Sequence, residues 1–249
     1  MATVALYNIK GGVGKTAAAV NLAYLAARDG AQTILFDLDP QGSAAFYFRI
    51  KPSRKLPGGK FLRGGRRIEK RIRGTDYENL DLLPSNLSFR NLDTVLSKLK
   101  GSPKRLRRIL KPYRKTYDFI FLDCPPGIGL VSENMLFASD IVLVPCIPTT
   151  LSMRTYDQLV GFFRSRGRDV SRIHPFFAMV EKRKRMHKEL LATGRDRDHR
   201  FLDTQIPYAS EVEKMGIHRE PVPCFAPGSP AANAYQDLWH ELKAMATRR

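Results

Sequence analysis

The stretch from Thr3 to Asn21, TVALYNIKGGVGKTAAAVN, constrains the fold more than anything that follows it. Thr3–Tyr7 is a short apolar run with β-branched and aromatic residues, as a buried strand requires. Lys10-Gly11-Gly12-Val13-Gly14-Lys15-Thr16 then turns the chain, and an Ala-rich helical pattern continues through Ala27. A strand, a glycine-rich turn ending in Gly-Lys-Thr and a helix, in that order, cradle phosphate. Glycines let backbone N–H groups converge on an anion, and the helix N-terminus adds partial positive charge. The Lys15 ammonium suits the β- and γ-phosphates and the Thr16 hydroxyl suits Mg²⁺.

The general pattern Gly-x-x-x-x-Gly-Lys-[Ser/Thr] would place its first glycine at position 9, where this chain has Ile9. A lysine, Lys10, opens the turn instead. Lys-Gly-Gly-Val-Gly-Lys-Thr is the deviant Walker A motif, and through it the chain resembles the ParA/MinD family of P-loop ATPases. The resemblance implies ATP and Mg²⁺ as cofactors, with Lys10, Gly11, Gly12, Val13, Gly14, Lys15, Thr16 and Ala17 around the nucleotide. It also implies an ATP-dependent homodimer in which Lys10 reaches the partner's nucleotide. Relatives usually carry a second Thr where Ala17 stands. The Ala17 N–H survives and the hydroxyl does not, so weaker nucleotide affinity is expected.

Further segments arrive in the family's order. Gln32–Asp39 reads as a strand that runs into Asp37-Leu38-Asp39-Pro40-Gln41-Gly42, with carboxylates where an open parallel sheet places its ligand. By resemblance this is switch I: Asp39 positions the attacking water and Asp37 supports the Mg²⁺ shell. Tyr77–Pro84 reads as another strand. Tyr117–Asp123 is a buried strand ending in a carboxylate before Cys124-Pro125-Pro126-Gly127, the Walker B arrangement, and Asp123 is assigned to Mg²⁺ through water. Ser139–Pro148 and His174–Glu181 supply two more strands, and Phe89–Leu99, Ser152–Arg166 and Ala231–Met245 read as helices. Thr204-Gln205-Ile206-Pro207 resembles the Ile-Pro segment that contacts adenine through its backbone, here Pro207. The expected fold is α/β, one domain spanning 1–249, with a mostly parallel twisted sheet flanked by helices.

Charge sets this chain apart. Lys and Arg number 42 against 24 Asp and Glu, a formal charge of +18 that favours polyanions. Arg49–Arg73 holds eleven basic residues and one acid, Glu69, and Gly58-Gly59 and Gly64-Gly65 break any long helix. It is expected to be a mobile basic surface loop with short helical pieces. Lys98–Lys115 holds nine basic residues and no acid, with Ser102-Pro103 as the N-cap and first position of its helix. Arg63, Arg66, Arg67, Lys104, Arg105, Arg107 and Arg108 are the candidates for contact with double-stranded DNA, read without sequence preference.

The resemblance then implies a partitioning or positioning ATPase of the small ParA type. It binds DNA as an ATP dimer and leaves on hydrolysis stimulated by a ParB-like or other adaptor protein, distributing a plasmid, chromosome region or protein cargo. The alternative is a MinD-like ATPase on the membrane. The last helix carries Asp237 and Glu241 on its polar face, which suits packing onto the domain better than a stable membrane anchor. Cys124, Cys146 and Cys224 have no Cys-x-x-Cys spacing and nothing resembling a secretory leader precedes them, so a reduced cytoplasmic, nucleoid-associated protein is expected. Cys146 and Cys224, in strand-like runs, read as core residues. The five histidines stand without a partner at metal-ligand spacing.

Overall fold

Five buried residues, Ala2–Leu6, form β1 near the middle of an eight-stranded sheet. The computed structural model describes residues 1–51, 56–194 and 201–247. Arg54 and Lys55 of the first basic block, and Asp196, Asp198, Arg248 and Arg249, therefore lie outside the described residues. After β1 come α1 (Lys15–Arg28), β2 (Thr33–Asp37), α2 (Ser43–Tyr47), α3 (Gly58–Phe61), α4 (Arg66–Glu69), β3 (Arg73–Gly74) and β4 (Leu80–Leu83). The next elements are α5 (Leu92–Ser97), α6 (Arg105–Leu110), β5 (Phe119–Asp123), α7 (Leu130–Ala138), β6 (Ile141–Cys146) and α8 (Thr150–Ser165). The chain closes with β7 (Ile173–Val180), α9 (Arg185–Gly194), β8 (Gln205–Pro207), α10 (Ser210–His218), α11 (Val222–Phe225) and α12 (Pro230–Thr247).

The strand order is β3-β4-β2-β5-β1-β6-β7-β8, parallel throughout except for the two-residue edge strand β3. From β1 the chain passes first to β2 on one side and later to β6 on the other. A crevice opens where such connections diverge, beyond the C-terminal ends of the strands. Alternation along the strands fills both faces of the sheet. Val4, Leu6, Leu35, Phe121 and Leu143 face a core with α1 and α12, whereas Ala5, Ile34, Ile120, Leu122 and Val142 face another built on α5 to α8.

The Ala-rich α1 is buried on nearly every side, which its small side chains permit because neighbouring elements can approach closely. α12 lies beside it and buries Tyr235, Leu238, Trp239 and Leu242, each at most 2% exposed. The Trp239 indole N–H donates to Asp29 Oδ2 (2.8 Å) and Lys243 Nζ donates to the same oxygen (2.9 Å). Both bonds hold the Asp29 carboxyl below the usual range.

Three local expectations differ from the structure. The segment expected to be a mobile loop is pinned, because Leu56, Phe61, Leu62 and Ile68 sit in the core while the basic side chains between them point outward. Gly101, at φ 69°, caps the short 3-10 turn Ser102–Lys104 that leads into α6, so Ser102 and Pro103 lie inside the turn. Cys224 lies in α11, half-buried, whereas Cys146 is a fully buried strand residue. Pro221 and Pro223 favour a helical start over a strand there.

Candidate phosphate-binding site

The turn after β1 is shaped by its glycines and anchored by two residues that precede it. Gly12 (φ 69°) and Gly14 (φ 91°) occupy left-handed backbone conformations that a side chain would strain. Gly14 is also the N-cap of α1 and contributes no side-chain hydrogen bond, so the first-turn N–H groups of the helix stay available to an anion. Asn8, 1% exposed, donates from Nδ2 to the Pro145 carbonyl (2.8 Å) and accepts the Lys10 N–H on Oδ1 (2.9 Å). The Tyr7 hydroxyl donates to the Gly127 carbonyl (2.7 Å), and the Gly127 N–H donates to the Ile9 carbonyl (2.9 Å). The turn is thus laced to the ends of β5 and β6. Neither anchor was among the sequence candidates, although a polar Asn8 directly behind an apolar strand was the available signal.

Lys15 is buried at 6% exposure, with Nζ donating to the Lys10 carbonyl at 3.0 Å. Burial pulls its pKa down, and the Asp123 and Asp39 charges partly restore it. Lys10 itself is exposed, as are Gly11 and Gly12. Val13 is buried under the turn, and Thr16 and Ala17 open α1.

Parallel pairing sets Asp37 directly beside Asp123 at the C-terminal ends of β2 and β5, and Leu6 beside Asp123 on the other side. Both carboxylates are fully buried. Asp37 Oδ2 accepts a long bond from the Ala45 N–H (3.3 Å), while Asp37 Oδ1 and both Asp123 oxygens have no hydrogen-bond partner among the described residues. Burial pushes the Asp123 pKa up to about 7, with the Asp39 charge adding to it and the Thr16 hydroxyl and Lys15 opposing. Asp37 is raised well above its usual value by burial and by Asp123. Unpaired buried charges of one sign are costly and need a counter-charge. A divalent cation beside the phosphate turn fits this donor set, which is all oxygen.

Asp39 is half-buried. Its Oδ1 accepts the Gln41 N–H (2.9 Å), and its carbonyl accepts the Ser85 hydroxyl (2.6 Å) and the Gly42 N–H (3.0 Å). These bonds hold the turn after β2 against the end of β4. Pro207 ends β8 and, with Gly14, Ala18, Met179, Ile206, Val212 and Tyr235, lines an apolar cleft at the mouth of α1. Met179 adopts a positive φ (55°) where the β7–β8 register breaks, and its methyl lies 4.0 Å from where a Gly14 side chain would begin. That backbone conformation is strained for a non-glycine residue, as happens at ligand clamps.

The basic candidates do not join this site. Arg63, Arg66, Arg67, Lys104, Arg107 and Arg108 are exposed away from the phosphate turn. Arg105 is half-buried and its Nε donates to the Leu62 carbonyl, so it ties the two basic segments together. Among the described residues no helix is long and apolar enough to cross a membrane.

A family described as an AAA domain matches residues 1–170. Soj of Bacillus subtilis, a sporulation initiation inhibitor protein, is 30% identical over 97% of this chain and 98% of its own. The chromosome-partitioning ATPase Soj of Treponema pallidum is 29% identical, covering 97% of both chains. Among solved structures, a Borrelia burgdorferi protein described as a plasmid partition protein, bound to AMPPNP, superposes with a TM-score of 0.83. The two share 26% identity, with 98% of this chain and 99% of that one covered.

Proposed function

The chain belongs to the ParA/MinD family of P-loop ATPases, and from that premise we propose that it is a partition-type ATPase that loads onto DNA as an ATP dimer. The observation that carries the reading is the pair of register-matched buried carboxylates, Asp37 and Asp123, beside Lys15 and Thr16; three of the four carboxylate oxygens hold no hydrogen bond among the described residues. When bound, ATP with Mg²⁺ supplies the phosphoanhydride that is cleaved. Thr16, Asp37 and Asp123 hold the cation. Lys15 gives up the Lys10 carbonyl for the β- and γ-phosphates, which restores the charge that burial disfavours. Asp39 orients the attacking water, and the N–H groups of Gly11 to Ala17 steady the phosphates. Pro207 and the cleft beside Met179 take the adenine ring.

A second copy of the chain is the partner that the nucleotide face fits. Leu87, Ile128, Leu151, Met186 and Tyr208 are all exposed large apolar residues. Each follows the C-terminal end of a parallel strand, so together they rim the phosphate turn. Lys10, exposed at the same face, reaches into the partner's site. DNA is held through phosphates by the basic surface, and an adaptor protein triggers hydrolysis and release. The apolar face of α12 that a membrane anchor would offer is buried against α1, which disfavours the MinD-like alternative.

Asp39→Ala tests the reading. It should bind ATP, sediment as a dimer and hydrolyse poorly, whereas Lys10→Ala should stay monomeric in ATP. An Asp39→Ala protein that hydrolyses ATP at the wild-type rate would refute the assignment.

A further inference from the structure

Away from the nucleotide face, α6, the end of α7 and the turn before β7 enclose a cleft of about 500 Å³, continuous with a second of about 280 Å³ through Arg107, Phe137 and Arg172. Lys104, Arg107, Arg108 and Lys111 line it from the α6 side, and Arg114, Arg168 and Arg172 from the others. Its two acids are each already paired: Asp140 with Arg114 (3.0 Å) and Asp169 with Arg172 (3.6 Å). Arg168 is stacked on Phe137 at 3.4 Å from the ring centre. Among the described residues Lys104, Arg107, Arg108 and Lys111 have no ion pair, so four like charges converge on a concave surface with nothing to offset them.

We propose that this cleft binds the phosphate backbone of double-stranded DNA at the end of the subunit opposite the nucleotide. The inference rests on the DNA reading above and assigns it a place. A compact anion would need only the cleft. The charge runs further, because α6 packs against the α3–α4 segment: Arg105 Nε donates to the Leu62 carbonyl, and Ile109 lies 3.6 Å from where a Gly64 side chain would begin. Arg63, Arg66 and Arg67, exposed on the segment that α6 packs against, add charge beyond the cleft, as a linear polyanion would use.

Position decides the consequence. Asp140 and Arg172 immediately precede β6 and β7, whereas the phosphate turn follows the C-terminal end of β1 in the same parallel sheet. Six-residue β6 separates the two ends by about 20 Å at roughly 3.3 Å per residue. In a dimer closed over the nucleotide faces, the two clefts point outward. Each subunit's cleft contacts therefore exist with or without nucleotide, and ATP strengthens binding by joining two of them.

The triple variant Arg107→Gln, Arg108→Gln, Lys111→Gln removes charges that hold no partner, so the fold should persist. Anisotropy titrations with a fluorescent duplex across a salt series, in ATP and in the absence of nucleotide at low salt, read the effect. The log–log salt slope should become shallower by about 2.7 per subunit, at roughly 0.9 per phosphate contact, in both conditions. Acetylation of Lys104 and Lys111 in the wild-type protein should be suppressed by the duplex. A wild-type slope in the triple variant, or a loss seen only with ATP, would overturn the proposal. So would protection of both lysines by inorganic tripolyphosphate but not by the duplex, the signature of a compact-anion site. If the wild-type protein binds no duplex in any nucleotide state, the DNA reading itself fails.

Discussion

Replacing Asp123 with Asn should raise the stability of the nucleotide-free protein at pH 8, although it removes a residue assigned to the cation. The Asp123 carboxyl is fully buried with no hydrogen-bond partner among the described residues, and burial, opposed by the nearby Thr16 hydroxyl, lifts its pKa from 3.8 to about 7. Between those values the folded state binds more protons than the unfolded state, so stability falls as pH rises through the window. Above pH 7 the shift corresponds to a penalty of about 4 kcal/mol. An Asn amide in the same place keeps a desolvation cost of about 1–3 kcal/mol, which leaves a net gain of about 2 kcal/mol. For a domain of this size that is about 4–8 °C in melting temperature. Circular-dichroism melts at pH 8 in EDTA should show the variant above wild type, with the gap closing by pH 4. Adding Mg²⁺ and ADP should stabilise wild type and leave the variant nearly unmoved. A variant that melts below wild type at pH 8, or by the same margin at pH 4 and pH 8, would refute the argument.

Lys15→Ala should weaken ATP binding by about 100-fold, since a charged hydrogen-bond donor worth about 3 kcal/mol is lost; calorimetric titration giving near-normal affinity would contradict this. Asn8→Ala leaves the buried Pro145 carbonyl without its donor and frees the Lys10 N–H. It should cost about 1–3 kcal/mol in denaturant unfolding and weaken nucleotide binding as well, because the turn loses its anchor.

The phosphate turn and both carboxylate strands were legible because their chemistry is local: Gly12 and Gly14 must be glycines, and Asp37 and Asp123 end apolar runs. Asn8, Tyr7, Ser85 and Met179 were not, because their roles depend on contacts with segments distant in sequence. Charge counting found the basic blocks but could not show that Leu56, Phe61, Leu62 and Ile68 pin the first of them to the core. It also gave Arg105 the same standing as Arg107, where the structure spends Arg105 on a backbone carbonyl. The join between the blocks, and the cleft it extends, exist only in three dimensions.

The most direct test of the account is the affinity of the wild-type protein for two unrelated duplexes at about 0.1 M salt, measured in ATP and in ADP. The account predicts equal affinity for both sequences, strong in ATP and lost in ADP, with a steeper salt dependence in ATP because two subunits share the contacts. Equal binding in ATP and ADP, or ATP-dependent binding to anionic vesicles with none to DNA, would contradict it.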